Sequence, residues 1–453
     1  MTNAVAASPT VKRRRAELGL LLIAFALTVS AYILVSLGRT AKIPVNLRPF
    51  LGVIAALLAA AHIATRRFAK HADAGLLPVA GLLNGLGYVM IVRLNPVLAN
   101  RQAAWTGVGI GAYVLTVGLV RRARQLERFR YTFALAGIAL LLLPLVPGLG
   151  YNINGSRIWA HFGPISFQPG ELAKLCLAVF FASYLVEKRE LLGIAGRRIV
   201  GVTFPEFRHA GPLLVAWVIS ILVMVAERDL GSSLLFFALF IAMLWVATQR
   251  NSYLLLGGVL FVFGALVSWQ LFDHVHNRVR VWIDPWPTAT KGGYQIVQSL
   301  YAFGSGGMAG TGLALGSPSR IPYASTDFIF AAIGEELGLF GTCAVLALFL
   351  ILVGTGLRTA MRASDLGRPF DALLAVGVTT ILAVQTFIIV GGVTRIVPLT
   401  GVTLPFVSYG GSSLVVNYML VAVLVRISHD AATARMTQER EPTPSGDLGR
   451  SRA

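Results

Sequence analysis

Charge is what this chain has least of: 13% of its 453 residues are Asp, Glu, Lys or Arg, against about a quarter in an ordinary soluble domain. Hydrophobic residues supply 56%, and mean hydropathy is +0.72. A water-soluble chain of this length could not hide so much apolar surface. Cysteine is nearly absent too. Cys176 and Cys343 both fall in apolar runs, where a thiol serves as a small hydrophobe, so a disulfide framework and a cysteine metal cluster are excluded. Also missing are a Walker A lysine motif, a zinc-type His/Glu pair and a D-x-D pair for a metal-held nucleotide-sugar.

Long apolar runs stand in their place, at about 18–37, 50–65, 75–95, 103–120, 131–147, 170–186, 210–226, 231–248, 252–272, 328–357, 370–394 and 410–427. Each is near the ~20 residues that cross a bilayer core. The pattern predicts an all-α, polytopic membrane protein of about twelve spans. The first run follows Lys12–Arg15 but is too long for a signal-peptide core, so it reads as a retained anchor. The runs at 50–65 and 75–95 are rich in Ala and Gly, which suits close helix packing.

The formal charge of +19 would suggest nucleic acid in a soluble protein. Here it falls in alternate loops: Arg66, Arg67 and Lys70; Arg121, Arg122, Arg124, Arg128 and Arg130; Lys188, Arg189, Arg197 and Arg198; Arg358, Arg362 and Arg368. With the N-terminal run and the tail after Arg426, about 26 of the 39 basic residues share one side. That asymmetry places both termini in the cytoplasm and removes the case for nucleic acid. Residues 1–16 form a basic N-terminus, 17–427 the membrane domain, and 428–453 a polar tail expected to be disordered.

The unusual residues collect in the outward connections. Asn154–Trp159 carries Arg157 and Trp159. Glu171 and Lys174, three apart, share a helix face; they are either a local ion pair or, with Arg157, a cationic site for an anionic headgroup. Asp229 or Ser232 is placed to cap the next helix. A long loop, 273–327, follows. Arg278 and Arg280 alternate towards Trp282, as an extended segment would, while Trp282 and Trp286 suit interfacial anchors. Glycines from Gly292 to Gly316 imply flexibility or close approach to substrate. Loops this long are usually functional. Asp327 opens a spanning helix, where a carboxylate is stabilised by free backbone N–H groups. Glu335 and Glu336 lie ~12 Å deeper, and charges inside a span cost about 2.5–3.5 kcal/mol, so they need partners. Being adjacent, at most one faces the same cavity as Asp327. The Gly- and Pro-broken stretch from Gly391 to Ser413, with Arg395 and Ser412, reads as re-entrant or broken helix.

Several of these motifs follow one another in order over about 150–427: Asn154–Trp159, Gln168-Pro169, Glu171-Leu172-Ala173-Lys174, Asp229-Leu230-Gly231, Asp284-Pro285-Trp286, and Gly293-Tyr294-Gln295 with Gln298-Ser299-Leu300. Thr326-Asp327-Phe328-Ile329-Phe330-Ala331, Glu335-Glu336-Leu337-Gly338, Pro398, Thr400-Gly401, Leu404-Pro405-Phe406 and Ser408–Ser413 complete the set. In this order they resemble the SEDS family (shape, elongation, division and sporulation), the RodA/FtsW-type proteins, with the actinobacterial RodA branch nearer than the FtsW branch. The resemblance implies ten usual spans plus two extra near the N-terminus. It implies a peptidoglycan glycosyltransferase in the bacterial cytoplasmic membrane, polymerising lipid II on the outer face for elongation and shape. It also implies a class B penicillin-binding protein as crosslinking partner. The family's essential aspartate falls on Asp327.

On that reading Asp327 is the base that takes the acceptor hydroxyl proton. Arg157, Lys174, Arg278 and Arg280 stabilise charge on the departing diphosphate, and Gln295, Gln298 and Arg320 join them at the diphosphate and glycan. Glu171, Trp159, Asp284, Trp286, Glu335, Glu336, Arg395 and Ser412 support the site. No cofactor is required, and a divalent cation (Mg or Mn) is admissible beside the diphosphate. The chain departs from the family at Tyr323 and Ser325, where glutamate and histidine are common, at Ile389, where asparagine is, and at Thr400, where some members have lysine; Arg395 is a substitute source of that charge. Two other readings stay open: a lipid II flippase built on the intramembrane charges, and a non-catalytic scaffold for the transpeptidase, which would tolerate loss of Asp327.

Overall fold

An apolar run in a bilayer must satisfy its backbone internally, and a helix does so within one segment. The structure, a computed structural model, describes residues 9–44, 47–153, 156–163, 165–193, 198–199, 202–203, 218 and 229–439. Its helices are α1 (Pro9–Thr40), α2 (Leu47–Phe68), α3 (Leu76–Leu94), α4 (Pro96–Leu119), α5 (Arg130–Leu142) and α6 (Pro169–Gly193). After 229 come α7 (Leu230–Thr248), α8 (Asn251–Leu271), α9 (Asp273–Ile283), α10 (Tyr294–Gly306), α11 (Ile329–Asp365), α12 (Pro369–Val393) and α13 (Gly411–Gln438).

Among the described residues, ten helices are long and apolar enough to cross a membrane. They coincide with ten of the twelve runs read from the sequence. α4 is 24 residues long but carries Asn100, Arg101 and Gln102 in its second turn, and it is not among the ten. Apart from residue 218, the run at 210–226 lies outside the described residues, as do Asn154, Arg197 and the tail from 440. Two differences are plain. α13 continues to Gln438 instead of ending at 427, because the polar residues beyond 427 have partners: Ser428 Oγ accepts from Asp73 N at 2.9 Å and Asp430 Oδ2 from Ala123 N at 2.9 Å. Between α5 and α6 the chain also forms a small antiparallel sheet, β1 (Gly150–Ile153), β2 (Ser156–Phe162) and β3 (Ile165–Phe167).

The bundle has two unlike ends. At the basic end lie the starts of α1, α3, α5 and α12 and the ends of α2, α6, α11 and α13. They are joined by pairs such as Arg368–Asp371 at 2.7 Å, Arg362–Asp73 at 3.8 Å and Arg130–Glu187. At the opposite end lie the sheet, α9, α10 and the starts of α6, α7, α11 and α13. α6, α12 and α13 form the buried centre, while α2 and α8 lie on the periphery. Small residues close the contacts: a Cβ on Gly87 would fall 2.4 Å from the Val407 carbonyl oxygen, and one on Gly411 would enter the Trp105 ring at 2.2 Å.

Candidate active site

The segment from 394 to 410, between α12 and α13, is the floor of the opposite end. Ser408 ties it to the start of α11: its Oγ donates to the Thr326 carbonyl at 2.6 Å and accepts from Leu404 N at 2.9 Å, while Tyr409 N donates to Ser325 O at 2.8 Å. The turn that carries Asp327 is thus clamped at the two residues before it. The turn closes on itself through Thr326 N and Phe328 N, which donate to Tyr323 O at 3.0 and 3.3 Å. Asp327 is not the cap of α11; Phe328 holds that position without a side-chain bond. Its carboxylate is therefore free of capping and takes a hydrogen bond from Thr326.

Gly401 lies beside it. A Cβ there would sit 3.8 Å from Asp327 Oδ2, and φ of +80° at this residue favours glycine. Asp229 reaches the same region from α7. It caps that helix by accepting from Ser232 N at 3.1 Å and from Ser232 Oγ at 2.5 Å, and Gly231 packs against Thr400 and Val402.

Arg278 arrives on α9. The expectation of an extended segment here was wrong: residues 273–283 are helical. The period was legible in Val275, Val279 and Trp282, spaced four and three apart. A helix separates Arg278 from Arg280 and aligns it with Trp282 instead. Arg278 Nη1 donates to Leu399 O at 3.1 Å, Trp282 Nε1 to Arg395 O at 3.1 Å, and Arg395 Nε back to Trp282 O at 2.8 Å. Arg280 is exposed.

Burial pushes the Asp327 carboxyl up to about 6. Arg278 pulls it down, Asp229 pushes it up further, and a hydrogen bond from Thr326 lowers it. Burial likewise lowers the Arg278 guanidinium, against the pull of Asp229 and Asp327. Among the described residues Asp327 has no ion pair within 4.0 Å. The result is a half-buried carboxylate near neutrality, in the field of one cation and one second carboxylate.

The other predicted residues divide by position. Arg157 on β2, Arg280 and Arg320 are exposed at this end, and Trp159, Gln295 and Gln298 are half-buried there. Asp284 Oδ1 accepts from Trp286 N at 3.2 Å, and Trp286 is exposed beside Tyr301. Ser412 Oγ accepts from Gln168 N at 3.0 Å, tying α13 to the strand leading into α6. Tyr323 is exposed, with φ of +56°, and Ser325 is half-buried.

Lys174 is not where a diphosphate contact was expected. It is 2% exposed, its Nζ bonded to Glu171 Oε1 at 2.8 Å and to Gln385 Oε1 at 3.3 Å. Gln385 Nε2 donates on to Thr403 O at 2.9 Å, and Thr403 Oγ1 to Ser413 Oγ at 2.9 Å. This network, with Asn417 Nδ2 on Ser413 Oγ at 3.2 Å, underlies the floor two residues from Gly401. Sequence reasoning missed Gln385, although an amide inside an apolar span is the signal that marks it.

Glu335 and Glu336 are likewise occupied. Glu335 Oε1 accepts from Ser317 N at 2.7 Å; Glu336 accepts from Arg93 Nε at 2.8 Å and from Ala314 N at 2.9 Å. α11 breaks at Gly338, φ +64°. The freed backbone is taken up by the glycine-rich segment, with Thr311 N on Glu335 O at 2.9 Å, Gly312 N on Glu336 O at 3.0 Å and Leu339 N on Gly307 O at 2.9 Å. The glycines therefore serve approach to a broken helix: a Cβ on Gly310 would fall 2.3 Å from Glu336 O. No group of three or more His, Cys, Asp or Glu side chains that could hold a metal ion occurs among the described residues.

Comparison with known proteins places the chain in a family. The profile of a family described as cell cycle protein (FtsW/RodA/SpoVE) matches residues 86–433. The peptidoglycan glycosyltransferase RodA of Mycobacterium tuberculosis is 46% identical over 447 residues, covering 96% of this chain and 95% of that protein. A probable peptidoglycan glycosyltransferase FtsW of Geobacter metallireducens is 34% identical over 372 residues, covering 79% of this chain and 94% of its own. Among solved structures, a chain of a peptidoglycan synthase complex that coordinates polymerization and crosslinking superposes with a TM-score of 0.65. It shares 28% identity and covers 80% of this chain and 98% of its own. The crystal structure of the rod shape determining protein RodA of Thermus thermophilus gives 0.55 at 26% identity, covering 79% of this chain and 97% of that one.

Proposed function

The chain belongs to the FtsW/RodA/SpoVE family of cell cycle proteins and is a multi-pass membrane peptidoglycan glycosyltransferase, and from that premise we propose that it polymerises lipid II at the Asp327 end of the bundle. The observation that carries this reading is Asp327 itself: held in a turn clamped at Ser325 and Thr326, free of ion pairing, and raised by burial to about 6. A carboxylate so poised takes the proton from the acceptor sugar hydroxyl, a contribution typically worth ~10²–10⁴-fold. The hydroxyl oxygen bonds to the anomeric carbon of the donor, the bond from that carbon to the lipid diphosphate breaks, and the diphosphate leaves with the electron pair. Arg278 stands nearest to receive developing negative charge. Arg157, Arg280 and Arg320 line the approach, with Gln295, Gln298, Trp159 and Trp286 as glycan contacts. Lys174, Glu171, Gln385, Ser412 and Arg395 act by holding the floor, and Glu335 and Glu336 by holding the loop.

The basic end faces the cytoplasm, so both termini are cytoplasmic and Asp327 opens to the outer face of the cytoplasmic membrane. The partner is a crosslinking transpeptidase of the class B penicillin-binding type, an assignment supported by the likeness to the synthase complex. A flippase would place open charge near the midplane, whereas Glu171 is paired with Lys174, and Glu335 and Glu336 accept internal hydrogen bonds.

The test is lipid II polymerisation by purified protein with and without its transpeptidase. Wild type forms glycan strands and Asp327→Ala does not, while still co-purifying with the partner. Full polymerisation by Asp327→Ala removes the base assignment, and absence of product from the wild-type pair removes the reading.

A further inference from the structure

A second site lies away from Asp327, where α1 and α2 meet α3 and α4. These four helices, with Tyr418 of α13, line a cavity of about 470 Å³, within the ~300–1,000 Å³ range of small-ligand sites. Its wall is aromatic and aliphatic, with Tyr32, Phe50, Ile54, Tyr88, Ala103 and Ile110 among the lining residues. Tyr32, Phe50 and Tyr88 stack in series, at centroid separations of 4.1 and 5.3 Å. The polar groups near mid-span bind one another: Asn84 Nδ2 donates to Tyr418 Oη at 3.0 Å and to Thr106 Oγ1 at 3.3 Å. Asn84 Oδ1 is buried without a partner, so it offers the cavity no accessible surface. The interior suits a hydrocarbon chain.

The mouth is different. The lining residues of α2 and α4 fall in the halves that begin at the opposite end of the bundle, Pro49–Leu58 and Pro96–Ile110. Arg39 Nη1 donates to the carbonyl of Val92, itself a lining residue, at 3.2 Å. Arg48 and Arg101 each adjoin a lining residue, Pro49 and Asn100. All three arginines are exposed and none has an ion pair among the described residues. Unpaired cations at this end run against the charge asymmetry of the chain. An anionic headgroup at the interface resolves that, because each such cation strengthens binding of an acidic lipid.

We propose that the α1–α4 cavity is a specific site for an anionic glycerophospholipid, with one acyl chain inside and the phosphate among Arg39, Arg48 and Arg101. The site does not depend on the catalytic reading of Asp327. Its lipid would fasten the two N-terminal helices to the bundle, and α1 in turn touches the glycine-rich segment, where Gly38 packs on the Leu313 carbonyl.

The experiment uses full-length protein in phosphatidylcholine nanodiscs holding a small fraction of phosphatidylglycerol with a diazirine on one acyl chain. After irradiation, mass spectrometry should find label on Phe50, Ile54 and Ala103 well above that on the exposed α8 residues Phe261 and Phe263. Labelling should fall roughly tenfold or more when the same chain carries a choline headgroup. Ala103→Trp, which fills the cavity, should remove the label, and the Arg39→Gln, Arg48→Gln, Arg101→Gln triple variant should lose the headgroup preference at unchanged polymerisation. Label no greater than on α8, or equal labelling by the two headgroups, overturns the proposal. So does displacement by undecaprenyl phosphate but not by unlabelled phosphatidylglycerol, which would make the occupant a polyprenyl carrier; this competition needs only wild type.

Discussion

Asp327 and the Glu335–Glu336 pair stand at one end of the same helix, a few turns apart, and they have opposite fates. Every oxygen the glutamates direct into the protein has a donor: Arg93, Ala314 N or Ser317 N. Asp327 follows two clamped residues, Ser325 and Thr326, and its carboxylate has a hydrogen bond from Thr326 but no ion pair. A charge satisfied by protein donors is structure, whereas one that is desolvated without an ion pair is poised for chemistry. The buried Glu171–Lys174 pair falls on the structural side through its ion pair at Glu171 Oε1, with Oε2 buried without a donor. Charge within a span does not by itself mark the reacting residue; what the protein leaves undone for it does.

That contrast is open to attack from several directions. The largest effect belongs to Asp327→Asn, which should lower lipid II polymerisation by ~10²–10⁴-fold and leave the thermal midpoint unchanged or raised, since a poorly solvated charge is removed. Glu336→Ala should do the reverse. It strands Arg93 and Ala314 N, so thermal unfolding should show a loss of about 3–5 kcal/mol, with residual activity in the folded fraction. Lys174→Met should cost a similar amount, and Glu171→Gln with Lys174→Met less than the sum, as a double-mutant cycle measured by unfolding would show. The smallest effect is Gly401→Ala, which imposes a left-handed conformation costing about 1–2 kcal/mol and should lower kcat modestly by crowding Asp327. A thermal collapse of Asp327→Asn, or a Glu336→Ala protein that is stable and inactive, would dissolve the distinction.

Much of this was legible in the residues. Ten helices coincide with apolar runs, since run length alone carries that information, and Asp229 caps α7 as its place before an apolar run implies. The failures share a cause. Arg278 and Arg280 alternate with hydrophobic residues over too few positions to separate a two-residue from a 3.6-residue period, and the packing of Trp282 on Arg395 decided for helix. Lys174 looked available because a sequence shows a neighbour at i−3 but not Gln385, 211 residues away. The glycines after Gly306 read as flexibility or close approach to substrate, yet they approach the break at Gly338, a tertiary relation with no local signature.

The central claim is that Asp327 acts as a base whose proton is governed by burial and by Arg278. The direct measurement is the pH dependence of lipid II polymerisation for wild type and Arg278→Gln. A carboxylate raised to about 6 is a competent base only above that value. Wild-type rate should therefore fall about tenfold per pH unit below the inflection and level off above it, and loss of Arg278, which holds the carboxyl down, should move the inflection to higher pH. A wild-type rate flat from pH 5 to about 8, or an inflection that Arg278→Gln leaves in place, would contradict the account.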